Sequence, residues 1–214
     1  MHSTRRVFLR GLTQIAIALM GLLLPGRGRA QGVAAWRIRR ARASDIADLA
    51  VIFNAHLTAG MCPDADQIEP WTPETAGKFL AIYTGTLILD RDGVPVGFGG
   101  LIDYSDPSTT SSIIAGAEPE IKVVALRPDL LPPPAMLAAA ERLAAAMARE
   151  LVRMGFTACQ MRIAAWPLFS ANEWYTRHMT VRMVRKRDGV DHALDVSFDL
   201  AGMLTTLARE GLEP

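Results

Sequence analysis

Cysteine and histidine are scarce in this chain of 214 residues: two of the first, Cys62 and Cys159, and four of the second, His2, His56, His178 and His192. The histidines form no short-range metal-ligand motif and two thiols cannot supply a four-thiolate zinc site, so no metal centre is expected. A dominant charge of one sign is also lacking, with 23 Lys plus Arg against 22 Asp plus Glu. That balance removes any bulk electrostatic case for nucleic acid. No Gly-x-Ser-x-Gly elbow is present to raise a nucleophilic serine. Gly97, Gly99 and Gly100 are followed by no helix, which excludes a dinucleotide fingerprint and leaves them to a strand bend or bulge. No apolar run reaches the roughly 18 to 20 residues that span a bilayer, and no internal repeat is evident.

What the chain does have begins with a leader. Thr4-Arg5-Arg6-Val7-Phe8-Leu9-Arg10 resembles a twin-arginine translocation signal, Gly11 to Leu24 is moderately apolar, and Gly28-Arg29-Ala30 is a small-residue cleavage context. The expected organisation is therefore a signal peptide over 1–30 and a single domain over 31–214, delivered by the Tat translocase to the periplasm with no stable span in the mature form. Losing Arg5, Arg6, Arg10, Arg27 and Arg29 with the leader would leave 18 basic against 22 acidic residues, a formal charge of −4. The basic run Arg182 to Arg187 then reads as the solvated face of a strand. In an oxidising compartment Cys62 and Cys159 could form a disulfide, provided their Cα atoms come close enough.

Along the remaining chain the apolar periodicity predicts β-α-α-β-β-β-α-β-α-β-β. Trp36 to Ala41 alternates as a first strand. Asp45 to Leu57 is an amphipathic helix with Ser44 as its expected N-cap, and Thr75 to Tyr83 is a second helix after an irregular stretch from Gly60. Thr86–Asp90 and Val94–Tyr104 make a hairpin around Asp92-Gly93. Ile121 to Leu126 is a buried strand. It leads through Pro128 and Pro132-Pro133-Pro134 into a long helix whose apolar stripe is Met136, Ala140, Leu143, Met147, Leu151 and Met154, with Gly155 as C′ cap. Ala158 to Ala165 is the next strand, Ser170 to His178 a short helix, and Val181–Arg187 with His192–Phe198 the last two strands.

The strand and helix from Ile121 to Phe156, with the order of elements around them, resemble the GNAT (GCN5-related N-acetyltransferase) superfamily. The resemblance implies an α/β fold with a mixed central sheet flanked by helices. In that family the fourth strand, a glycine-rich turn and the following helix bind the pyrophosphate of acyl-CoA, which would bring Val124, Leu126, Leu131, Ala135 and Met136 to the cofactor. Here the turn departs from the pattern: Leu131 stands for the usual Gln or Arg, and the three prolines stand among the usual glycines. A phosphate cradle is built from backbone N–H groups at a helix start, and proline has none. Pro134 fits helix position N1, where Ala135 and Met136 would still present theirs.

The same resemblance assigns the acid that protonates the leaving thiolate to Tyr175, and a base or water-positioning carboxylate to Glu118 or Glu120. Phe53 and His56, in the first helix, and Trp71, in the irregular stretch, would border the acceptor cleft. The preferred reading is an exported GNAT-like domain that has lost acyl-CoA binding, with no cofactor, holding a small ligand or a protein partner in the family cleft. The alternative is an acyltransferase that moves an acyl group from acetyl-CoA or another acyl-CoA to an amine.

Overall fold

A computed structural model describes residues 35–62, 65–106, 117–164 and 177–209. Its centre is a seven-stranded mixed sheet in the order β1-β2-β3-β4-β5-β7-β6. The strands are β1 (Trp36–Arg40), β2 (Gly85–Arg91), β3 (Val94–Ile102), β4 (Glu120–Leu126), β5 (Ala158–Ala164), β6 (Met179–Arg187) and β7 (Val190–Asp199). All neighbours run antiparallel except β4 and β5, which are parallel. The helices are α1 (Ile46–Thr58), α2 (Pro73–Ile82), α3 (Pro133–Arg153) and α4 (Leu200–Arg209).

Period-two alternation along the strands divides the core between the two faces. Leu87 and Leu89 pack with α3 and α4, whereas Ile88 and Phe98 pack with α1 and α2. On α3 the expected stripe is buried at Leu143, Met147 and Leu151, each with no exposed surface. Full burial of such side chains stabilises by about 1.5–3 kcal/mol each. Met154 departs from the stripe and is 38% exposed, because α3 ends at Arg153. Gly155, at φ +94°, lets Phe156 N–H reach Leu151 C=O and its own N–H reach Val152 C=O, both at 3.0 Å, the paired bonds of a Schellman cap.

The glycines of β3 let side chains of α3, α2 and β4 come close. A Cβ on Gly99 would lie 2.3 Å from Met147 Sδ, and one on Gly97 2.7 Å from Leu126 Cδ2. The bulges fall beside them: Leu89 faces Gly97 and Asp90 faces Pro95, which leaves Val96 as the extra residue.

Ser44 is not the N-cap of α1. Ala43–Asp45 forms a 3-10 turn, and the Asp45 carboxylate takes the Arg42 N–H at 2.7 Å and the Arg39 guanidinium at 2.8 and 3.0 Å. Arg39 also reaches Asp90 at 2.8 Å, tying β1 to β2 and to the start of α1. The two cysteines are free thiols, and the Cys62–Cys159 link left open by the sequence is not made. Cys159 lies in the core under α3, while Cys62 packs with the α1 and α2 cluster across the sheet.

Candidate functional site

One break in the sheet makes the cleft. Gly100 pairs with Val123 and Leu101 with Ile121, so Lys122 is an extra residue on β4. A bulge of this kind bends its strand and interrupts the ladder. β5 accordingly stays beside β4 only at Glu120–Gln160 and Ile121–Met161, and among the described residues the outer edge of β4 beyond Ile121 has no strand partner. A cleft of about 440 Å³ opens there, between Val123 and Val124 on one side and Met161, Arg162 and Ile163 on the other.

His56, Phe53 and Trp71 meet in this cleft. The last turn of α1 aims the His56 ring at the β4 edge, where Nδ1 accepts the Leu126 N–H at 3.2 Å. The nitrogen on that side therefore carries no proton, and Nε2 holds the hydrogen. Burial pushes the His56 pKa down to about 4, partly opposed by this bond. The ring is thus neutral at pH 7.

Asn54 fixes the aromatic wall. Its side-chain amide donates to Trp71 C=O at 2.9 Å and accepts from Trp71 N–H at 2.7 Å, replacing a backbone pair. Trp71 then stacks on Phe53 with centroids 4.0 Å apart and planes at 15°, and lies 4.2 Å from Phe79, which in turn meets Tyr83 at 3.6 Å. The irregular stretch after Gly60 is in this way held against α1. Cys62 also lines the cleft, and burial pushes its thiol up to about 11.

At the other end stands Glu120. Its carboxylate accepts the Tyr104 hydroxyl and lies 3.2 Å from Lys122 Nζ. Burial, with the Glu120 charge adding to it, holds the Tyr83 and Tyr104 hydroxyls well above the usual phenol range. Both are proton-bearing donors. Glu118 is turned elsewhere, accepting from Arg182 at 2.5 Å and Ser197 Oγ at 3.0 Å, and does not line the cleft. Tyr175 lies outside the described residues. Sequence reasoning passed over Tyr83, Tyr104 and Lys122; the one signal was a lysine inside the apolar run Ile121 to Leu126.

The start of α3 fits a phosphate group poorly. The helix begins one residue earlier than expected, with Pro132 as N-cap and Pro133 and Pro134 at N1 and N2. Leu130 and Leu131 N–H groups are spent on Arg127 C=O at 3.1 and 3.0 Å, and Met136 N–H on Pro132 C=O at 2.9 Å. Ala135 is left as the one amide donor of the first turn. Leu131 is 1% exposed and packs in the core, so it does not reach a ligand. Arg127 is held by Asp129 at 2.8 and 2.5 Å. Val124, by contrast, lines the open slot, and Leu126 borders it through the N–H bound to His56. The helix start does not fit the diphosphate of CoA.

No family model and no curated protein matches the sequence. Solved structures do match in fold. The ribosomal-protein-alanine N-acetyltransferase of Brucella melitensis superposes with a TM-score of 0.57 at 15% identity, over 76% of this chain and 99% of that one. A GNAT-family acetyltransferase of Streptococcus pneumoniae gives 0.56 at 12%, over 76% and 98%. A Salmonella typhimurium protein assigned as an acetyltransferase, solved with its cofactor acetyl-CoA, gives 0.53 at 16%, over 78% and 94%. The chain has a divergent GNAT fold. At these identities the likeness is one of fold.

Proposed function

We propose that this GNAT-fold chain is an N-acyltransferase that draws an acyl thioester into the slot between β4 and β5 and passes the acyl group to an amine held in the aromatic cleft. The observation that carries the reading is the extra residue Lys122, beyond which β4 has no strand partner on its outer edge among the described residues, with Glu120, still paired to Gln160, at the near end of the opening. The solved relative that holds acetyl-CoA supports it. It favours the acyl-CoA alternative over the preferred sequence reading, in which no cofactor binds.

In the proposed reaction the amine nitrogen attacks the thioester carbonyl, the C–S bond breaks and the thiolate leaves to take a proton from water. The surplus proton on nitrogen passes to Glu120, which Tyr104 and Lys122 hold in place. Phe53, Trp71 and Phe79 shape the acceptor side. The test is thiol release from acyl thioesters in the presence of a panel of primary amines. Glu120→Gln should lower the rate by about a hundredfold, the usual scale for a general base. An unchanged rate in Glu120→Gln would remove this role.

The proline-capped helix favours a second reading, a binding module that holds a small ligand or a partner's side chain in the same cleft without turnover. Saturable binding with no thiol release across the panel would select it. For the amino terminus, the twin-arginine-like leader and export to the periplasm stand as our proposal.

A further inference from the structure

Resting on the acyl-transfer reading, we propose that the donor is recognised through its pantetheine arm alone, and that the nucleotide diphosphate of CoA adds nothing to binding. An arm of this kind is extended, uncharged and carries two amides, which suits an open strand edge in the way an added strand does. Among the described residues, the β4 edge from Lys122 to Ala125, short of the Leu126 N–H already given to His56, supplies that surface.

A diphosphate requires a different surface, several amide donors at a helix start or a free cation. Pro132, Pro133 and Pro134 remove the donors from the N-cap, N1 and N2 positions. The preceding amides of Leu130 and Leu131 are already bonded to Arg127 C=O. The nearby guanidinium of Arg127 is taken by Asp129, whose carboxylate that arginine holds below its ordinary range and so keeps ionised. A diphosphate placed there would meet proline carbons and a guanidinium already neutralised by Asp129. Discrimination for the nucleotide is lost while the slot for the arm remains.

Titration calorimetry of the full chain with acetyl-CoA and with S-acetylpantetheine tests this. We expect dissociation constants within about tenfold of each other, since an intact cradle of charged hydrogen bonds would separate them by far more. Acetyl-CoA binding more than about tenfold tighter than S-acetylpantetheine overturns the proposal. Binding of neither ligand withdraws the acyl-transfer reading, and this inference with it.

A second variant keeps the proline argument separate. Pro133→Ala with Pro134→Ala restores two N–H groups in a helix that alanine favours, and should tighten acetyl-CoA by about tenfold or more while leaving S-acetylpantetheine unchanged. No selective gain for acetyl-CoA overturns the assignment of the exclusion to these prolines. The arm could arrive free or tethered to a carrier protein. Acetylated acyl carrier protein binding at least about tenfold tighter than S-acetylpantetheine assigns the tethered source, and binding no tighter assigns the free one.

Discussion

His56 combines a buried ring with a polar bond to a sheet edge. Its pKa is pushed from 6.5 down to about 4, so the folded chain resists a proton that the unfolded chain accepts. Above pH 6.5 both states hold a neutral ring and the histidine adds no pH dependence. As pH falls from about 6.5 to about 4 the unfolded state alone gains the proton, and stability is lost. The shift corresponds to about 3 kcal/mol. Urea unfolding at pH 7, 5.5 and 4 should show this loss, and His56→Gln, which can still accept the Leu126 N–H, should flatten the profile over that range. An equally steep profile in the variant would contradict the assignment. Asp45, held below its ordinary range by Arg39, adds acid sensitivity that the variant keeps. Asn54 is the second residue whose loss should be felt beyond its size. Asn54→Ala strips partners from two backbone groups of Trp71 and should cost about 1–3 kcal/mol, read as a lowered urea midpoint, and quench less of the Trp71 signal on ligand binding. The family resemblance pointed to Phe53 and His56, and residue type to Trp71. The partners of His56 and Trp71 were hidden, because Leu126 is 70 residues from His56 and a backbone N–H leaves no mark in a sequence.

Among the elements, the pairing of β3 with α3 is the tightest constraint. Gly99 admits the Met147 side chain to a distance that a Cβ would forbid. Gly99→Ala should therefore destabilise by about 1–3 kcal/mol through overpacking, and in a Met147→Ala background, which removes the blocking Sδ and Cε, part of that loss should be recovered relative to Met147→Ala alone in thermal unfolding. The recovery would be absent if the glycine mattered only for strand conformation. Among the described residues the sequence carried the strands and helices themselves well; the short helix expected over Ser170 to His178 lies almost wholly outside them. Ile121 to Leu126 is β-branched and apolar, the α3 stripe has a clean 3.6 period, and Asp92-Gly93 and Asp188-Gly189 mark hairpins that form with both Asp residues at positive φ. Element ends were less legible. Thr72 caps α2 by accepting from Thr75 N–H at 3.2 Å, while Asp45 stands at the N-cap position of α1 with its carboxylate on Arg39 and the Arg42 N–H and not on that helix. The Lys122 bulge could not be read from local pattern at all. A bulge is fixed by the register of β4 against β3, whose residues lie about 20 positions earlier, and register is a property of the pair.

For the whole molecule, charge and thiols can be followed together. The basic run on β6 is matched within the chain, with Arg182 on Glu118, Arg185 on Asp195, Lys186 on Asp191 and Arg187 on Asp66, which agrees with a solvated strand face. Such exposed pairs contribute little each. The cysteines lie on opposite faces of a sheet, and bridging them would require the sheet to open. If the leader is an export signal, fractionation should find a form beginning near Gln31 outside the cytoplasm, and Arg5→Lys with Arg6→Lys should retain the full-length chain inside. Exported protein should then be alkylated without reduction and mapped by mass. We expect both Cys62 and Cys159 peptides to carry the label after denaturation, with no linked peptide. In the native state both thiols are protonated at neutral pH, since burial pushes Cys62 up to about 11 and Cys159 up to about 12, so labelling should be slow. Cys62, at the cleft wall and less buried, should react first, and a ligand in the cleft should protect it while leaving Cys159 unchanged. A Cys62–Cys159 peptide from exported protein would instead mean that the two faces of the sheet come together in the oxidised chain, and that this fold is not the one it adopts there.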